Sequence, residues 1–207
     1  MTSAIMRQDP LFMRNGFETQ GKWGIPHVKR QTISLDNVRL IACSDTRRDD
    51  NAVNKQNGVH FFVDDYRFRD VYNHPQRTLP KYSQYAFLLT PDFSLYAEMG
   101  LWLQIANVAK NRWVGAYWQS EGLVVIPTIS WSTASSFDFC FDGVEEHSIV
   151  AVGMIGCKDN HLGFMRGYNK MLERLQPSTI LCFGTPFPEM EGNIISVDYR
   201  ESRKVVR

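Results

Sequence analysis

Six aspartates stand where an apolar run of the chain gives out: Asp45, Asp64, Asp65, Asp92, Asp142 and Asp198. In parallel α/β proteins ligands bind outside the carboxyl ends of the strands. Carboxylates gathered there can exchange protons with a substrate, or hold a hard divalent cation through oxygen. Asp92, closing "LLTPD", and Asp142, closing "FCFD", are the candidate catalytic pair, and the candidate ligands if a divalent cation is the cofactor. Aspartate also opens turns and caps helices, and that structural reading competes at each position. Cys140, two residues before Asp142, has no histidine paired with it by spacing and reads as a small buried filler.

The stretch "KNRWVGAYWQ" (110–119) brings a cation and aromatic rings together. A guanidinium fork grips phosphate bidentately, and aromatic planes stack on bases or sugars. The candidate binding residues are therefore Asp65, Arg112, Trp118 and Trp131. The histidines (27, 60, 74, 147 and 161) show no HxH, HxxxH or HExxH spacing, and the cysteines (43, 140, 157 and 182) no CxxC. Neither set supports a metal centre, and the cysteines read as reduced thiols of a cytosolic protein.

These residues need elements to hold them. Apolar β-prone runs recur at "VRLIACSD", "VHFFVDD", "YAFLLTPD", "LVVIPTISW", "SIVAVGMIG", "STILCFGTP" and "NIISVDY". Several are continuously apolar, as in strands covered on both faces. "FDFCFDG" (137–143) alternates Phe with Asp, Cys and Asp, which predicts a strand with an aromatic core face and a polar face carrying Asp138 and Asp142. One helix is expected from Trp102, Ile105, Ala109, Trp113 and Ala116, capped by Asp92 or Ser94, with Gln104, Asn107 and Asn111 on another face. Both Trp102 and Trp113 are expected in the core. A second helix covers 161–175, stopped by Pro177, and a helical turn is expected near 66–72. The unit 148–183 is a right-handed βαβ crossover. The fold class is α/β: one layered domain at 36–207 with a mainly parallel or mixed sheet of seven or eight strands and two or three helices, preceded by an irregular arm at 1–35. An eightfold barrel needs more helices than this length supplies.

A formal charge of +1 over 207 residues gives no global electrostatic case for nucleic acid or an anionic membrane. No apolar run spans a bilayer, and the first residues lack a signal-peptide core, so a cytoplasmic protein without a membrane partner is expected. The basic tail "YRESRKVVR" reads as a solvated end.

The ordered set "VDDYRF", "LLTPDFSLY", "NRWVGAYW", "VIPTISW", "CFDGVEEHSIVAVGMIG" and "MLERLQPSTILCFGTP", spanning about 59–186, resembles domain of unknown function family 4417, found in bacteria, phages and plasmids. The resemblance marks Asp64, Asp65, Asp92, Ser94, Arg112, Trp118, Trp131, Cys140, Asp142 and Gly143, and favours Asp142 over Asp138. It implies a mobile-element setting and names no reaction. The expected function is that of a phage- or plasmid-type protein acting on or binding nucleic acid or nucleotide through a carboxylate- and arginine-lined pocket. The alternatives are a non-catalytic inhibitor of a host protein, and a sugar pocket built on Trp118 and Trp131.

Overall fold

Alternate residues of each parallel strand go to opposite sides, and here both sides are apolar. The computed structural model describes residues 2–203. An amino-terminal arm carries two single-turn helices, α1 (Ser3–Met6) and α2 (Pro10–Met13), and a short antiparallel pair, β1 (Thr19–Gln20) and β2 (Ile25–Pro26). The body then runs β3 (Leu40–Ala42), α3 (Ala52–Lys55), β4 (Gly58–His60), α4 (Asp70–Asn73), α5 (Pro75–Tyr82), β5 (Phe87–Leu89), α6 (Leu101–Ser120), β6 (Val125–Ile126), β7 (Ile149–Gly153), α7 (His161–Leu175), β8 (Thr179–Phe183) and β9 (Ile194–Val197).

Strands β3-β4-β5-β6 form one parallel sheet and β7-β8-β9 a second. A single parallel bridge joins them: Ile129 N–H donates to the Ala151 carbonyl at 2.8 Å, and Ala151 N–H to the Pro127 carbonyl at 2.9 Å. The parallel strands therefore follow one another in chain order. Leu40, Leu89, Ile126, Ala151, Leu181 and Val197, drawn from both sheets and from the first and last of these strands, meet in one apolar interior. The opposite faces bury against helices. Val59 and Leu88 pack with Trp113, Val114 and Trp118 of α6. Val150, Ile180 and Cys182 pack with Phe164, Tyr168 and Met171 of α7. In β8 the alternation is direct, with Leu181 and Phe183 inward and Ile180 and Cys182 outward.

The α/β class and the parallel strands agree with the sequence. Hydrogen bonding, however, divides the strands into sheets of two, four and three instead of one sheet of seven or eight. The described residues hold seven α-helices, of which α6 and α7 are the two long ones expected. Helix α7 has the expected bounds, capped by the Asn160 side chain, and the turn near 66–72 appears as a 3-10 turn at Asp65–Arg67 followed by α4.

Three expectations need correction. Gly100, not Asp92 or Ser94, is the N-cap of α6. Trp102, in the first turn of α6, is 74% exposed, while Trp113 is core as expected. Residues 137–142 are not a strand: a 3-10 helix, Ala134–Asp138, leads into a turn. The Ser136 hydroxyl donates to the Thr133 carbonyl, and the Phe139 and Cys140 amides donate to the Ser136 carbonyl, which closes the chain into local turns before ladder pairing can start. Phe139, Cys140 and Phe141 are consequently all buried, and no two-faced alternation exists.

The arm is not loose. Ile25 and Val28 are fully buried, β2 packs on α6, and Val28 N–H donates to the Gly143 carbonyl at 2.9 Å. The last four residues of the basic tail lie outside the described residues. No described helix is long and apolar enough to cross a membrane.

Candidate active site

Beyond Leu89 the chain leaves the sheet along a fixed path. The Thr90 amide donates to the Ile126 carbonyl at 3.0 Å, and the Thr90 hydroxyl accepts from the Thr128 amide at 2.7 Å. Helix α6 then holds the following loop with one polar face. Gln104, Asn107 and Asn111, spaced three and four apart, share a side of the helix. Asn111 Nδ2 donates to the Pro91 carbonyl (2.8 Å), Asn107 Nδ2 to Ser94 (2.8 Å), and Gln104 Nε2 to Met99 (3.0 Å). Asp92 sits inside this clamp.

The Asp92 residue is half-buried, but its Oδ1 is enclosed and has no hydrogen-bond partner. Burial pushes the carboxyl up to about 7. The Ser130 side chain pulls it down, the negative charge of Asp65 pushes it up, and Arg112 pulls it down. Asp65 is fixed in turn: it accepts from the Ser94 hydroxyl at 2.8 Å and the Ser94 amide at 3.2 Å. Asp65, Asp92 and Ser130 follow the carboxyl ends of β4, β5 and β6, and Cys157, after β7, feels the Asp92 charge. A carboxyl poised near neutrality at the carboxyl ends of parallel strands can take and return a proton.

Asp142 and Arg112 are placed differently. Asp142 follows the 134–138 turn and is buried, and its Oδ1 is bound by the Arg174 guanidinium of α7 at 2.8 Å. Gly21 in the arm covers it with φ +69°, and a methyl group there would collide with the carboxylate. The Arg112 guanidinium, 2% exposed, donates to the carbonyls of Asp142 (3.2 Å), Cys140 (2.9 Å) and Thr128 (2.8 Å) and to Asn111 Oδ1 (2.5 Å). It feels the charges of both Asp92 and Asp142. The expected phosphate fork at Arg112 is thus corrected: its donors are engaged by the chain and solvent cannot reach them. Trp118 is likewise no platform. It is fully buried, 5.6 Å from Phe61 and 6.0 Å from Tyr82 between ring centroids. Trp131 is half-buried against Phe164 and lies over Gly167 of α7, where any side chain would collide with it. Among the described residues no group of three or more His, Cys, Asp or Glu could hold a metal ion.

Beside Asp65 opens a cavity of about 340 Å³, lined at the strand ends by Asp45, His60, Phe62, Asp64, Arg67 and Phe183. His60 is 2% exposed, and burial pulls its pKa down to about 3. Its Nδ1 accepts from the Phe62 amide at 3.3 Å, so the proton rides on Nε2, which has no partner. Sequence reasoning missed His60. The available signal was its place at the end of an apolar strand run, immediately before "FFVDD". A cavity of about 480 Å³ lies elsewhere, at the seam between β3 and β9, lined by Arg39, Asn54 and Asp198.

The profile of the domain of unknown function DUF4417 matches residues 17–200, well beyond the 59–186 stretch and into the arm. The chain is 38% identical over 179 residues to the "Gene 1 protein" of Mycobacterium phage L5, covering 85% of this chain and 77% of that protein. It is also 38% identical over 179 residues to the "Gene 1 protein" of Mycobacterium phage D29, where it spans 66% of the relative. No solved structure matches.

Proposed function

This chain belongs to the DUF4417 family, and we propose that it is a phage-type protein that binds nucleic acid or a nucleotide at its strand ends, with Asp92 exchanging a proton with the ligand. The observation that carries this reading is the enclosed Asp92 carboxyl, poised near 7 and with one oxygen unpartnered. Below that value it is a general acid, above it a general base. Asp65 raises its affinity for the proton, and the clamp from α6 fixes the loop that aims it. Phosphate contact falls to Arg67, whose guanidinium is half-exposed and lies 5.3 Å from the Tyr66 ring. Tyr66 (63% exposed), Tyr96 (61%) and Trp102 surround the same loops and offer planes for bases.

The test is to incubate the protein with single- and double-stranded DNA and RNA and with mononucleotides at low salt, from pH 5 to 9, and to analyse the products. Turnover is expected with a limb near pH 7, and Asp92→Asn is expected to slow it about 10²–10⁴-fold. Binding without turnover, indifferent to Asp92, would leave a nucleic-acid-binding protein in which Asp92 exchanges no proton. Neither binding nor turnover would end the reading and favour a second one. That reading is capture of a partner protein by the exposed rings of Tyr66, Tyr96 and Trp102, side chains that monomers seldom cluster without a use.

A further inference from the structure

Strands β3 to β9 run in chain order, and the two end strands bury residues in the same interior, Leu40 from β3 and Val197 from β9. Neighbours along this order are hydrogen-bonded, but β3 and β9 do not pair with each other. Between them lies the cavity of about 480 Å³. A second, of about 550 Å³, continues it toward the amino ends of β4 and β5 and shares Asn37, Val38, Arg39, Val53 and Asn57 with it. Together they make one groove along α3.

One wall of the groove is a free strand edge. The Ile180 amide donates to the Asn193 carbonyl at 2.8 Å, and the Gly184 amide to the Val197 carbonyl at 2.9 Å. Alternate residues of a parallel ladder turn amide and carbonyl to the same side, so Asn193, Ile195 and Val197 face β8 while Ile194 and Ser196 face the groove. Ser196 is exposed and Ile194 half-buried, and no described residue bonds the backbone of either from the groove side. The opposite wall is closed, since Leu40 and Ile41 are buried. Around the open edge, Asn37 and Asn57 present carboxamides, each with a donor and an acceptor as in a peptide group. Arg39 is exposed before β3, Val53 is 50% exposed, and Asp198 and Glu201 stand exposed beyond the carboxyl end of β9.

These features discriminate between occupants. A helix is about 10–12 Å across and the edge of a second folded copy is wider, whereas a single extended chain sits about 4.8 Å from its neighbour. A nucleic-acid strand would bring phosphates against Asp198 and Glu201. An aliphatic ligand would leave the strand edge to water. An extended peptide offers N–H and C=O groups at the period of β9 itself.

We propose that the edge of β9 is a docking site for an extended peptide segment of a partner protein. The segment adds as a strand beside Ile194–Val197, with an acidic side chain toward Arg39 and a basic one toward Asp198 and Glu201. Four residues match β9, a length of about 13 Å at about 3.3 Å per residue. This surface goes beyond the strand-end reading and does not depend on it.

The experiment titrates the ¹⁵N-labelled full chain with acetyl-Asp-Val-Thr-Val-Lys-amide and with the reversed order, acetyl-Lys-Val-Thr-Val-Asp-amide. Saturable movement of the Ile194 and Ser196 amide signals is expected, with one order binding at least fivefold tighter, which also gives the direction of the added strand. Methylating the three central amide nitrogens of that peptide removes its donors and should abolish binding. Arg39→Ala, at an exposed position, should cut the preference between the two orders about threefold. Ser196→Pro removes a groove-facing N–H from an edge strand, where proline is tolerated, and should weaken binding at least tenfold. The wild-type titration and Arg39→Ala decide even if Ser196→Pro fails to fold. Silence of the β9 amides with both peptides, equal binding of the two orders, or binding of the methylated peptide overturns the proposal. So does movement of the same amides on raising the protein concentration alone, which would make a second copy the occupant, or on deleting residues 204–207, which would assign the edge to the chain's own end. None of these outcomes bears on the nucleic-acid assay, and failure of that assay leaves this proposal standing.

Discussion

Asp92 and Asp142 both lie within the field of Arg112, and both are withdrawn from water, but they are treated in opposite ways. Around Asp142 every demand is met: Arg174 binds its carboxylate, Arg112 binds its backbone carbonyl, and the Gly21 turn of the arm closes over it. Around Asp92 the framework is equally well bonded, through Asn111, Asn107 and Gln104, but these amides bind the loop's carbonyls, while the carboxyl itself meets the Ser130 side chain, keeps Oδ1 unpartnered and has no paired cation among the described residues. A buried acid with its own cation is an internal strut. A buried acid held in place and left without one is set up to titrate. The two regions share an arginine and differ in whether the carboxylate was given a cation of its own.

That contrast can be broken most forcefully at Arg112. Arg112→Met removes the donors to three buried carbonyls and to Asn111 at once, and should destabilise the chain by about 3–5 kcal/mol in urea unfolding. A loss below about 1 kcal/mol would mean the guanidinium is not the strut between α6 and the 134–142 turn.

Next in size is the pH dependence of Asp92. Its carboxyl titrates near 7 in the folded chain against an ordinary 3.8, so the folded state binds the proton more tightly. Stability contributed by the protonated form is complete below about pH 4, is lost as pH rises to about 7, and is constant above. Asp92→Asn lacks this loss and should exceed the parent by on the order of 1–3 kcal/mol at pH 8, with little difference at pH 4. His60, depressed from 6.5 to about 3, acts in the other direction and loses stability as pH falls below 6.5. The difference between the two chains at each pH, rather than either raw profile, therefore isolates Asp92. Parallel profiles would sink the claim that Asp92 is the poised group.

At Asp142 the expected cost is smaller, because Arg174 is partly exposed and can turn to water. Asp142→Asn should lower stability by about 1–2 kcal/mol, with no effect on turnover in the assays above. A large effect on turnover with unchanged stability would restore Asp142 to the active site. The smallest effect belongs to Asp138, which is exposed and lies 3.9 Å from Lys22: Asp138→Asn should stay within about 0.5 kcal/mol of the parent by thermal melting.

What could be read without coordinates followed the range of the interactions involved. Helix α7 was legible to its ends because its stripe of Phe164, Tyr168, Met171 and Leu175, and its stop before Pro177, are local. The amides at 104, 107 and 111 were visible as a separate face, though not what they would hold. Asp92 could be singled out from its place after an apolar run, but its difference from Asp142 could not, since Arg174 lies far along the chain. The alternation in "FDFCFDG" misled because three side-chain and backbone bonds around Ser136 decide that segment locally, and period-two spacing does not register them. Arg112 and Trp118 misled for another reason. Arginine and tryptophan are chosen for buried scaffolding by the same fork geometry and ring size that suit them to ligands. His60 escaped notice because its neighbours Phe183 and Asp45 reach it only after separate strands have come together.

The shared apolar interior also has a bearing on how the chain reaches this state. Leu40 and Val197 come from opposite ends of the body, and β5, β6, β7 and β8 between them contribute in turn. Contacts across such sequence distance form slowly, because the loop must be closed before burial rewards it. During synthesis, the arm, α6 and the first sheet can settle while the carboxyl-terminal third is still being made. The surface of Phe87, Leu89 and Ile126 then waits uncovered until β7, β8 and β9 arrive. The cavity at the strand ends, whose lining takes residues from β8 and from the segment after β9, accordingly takes shape only once those strands have joined the first sheet.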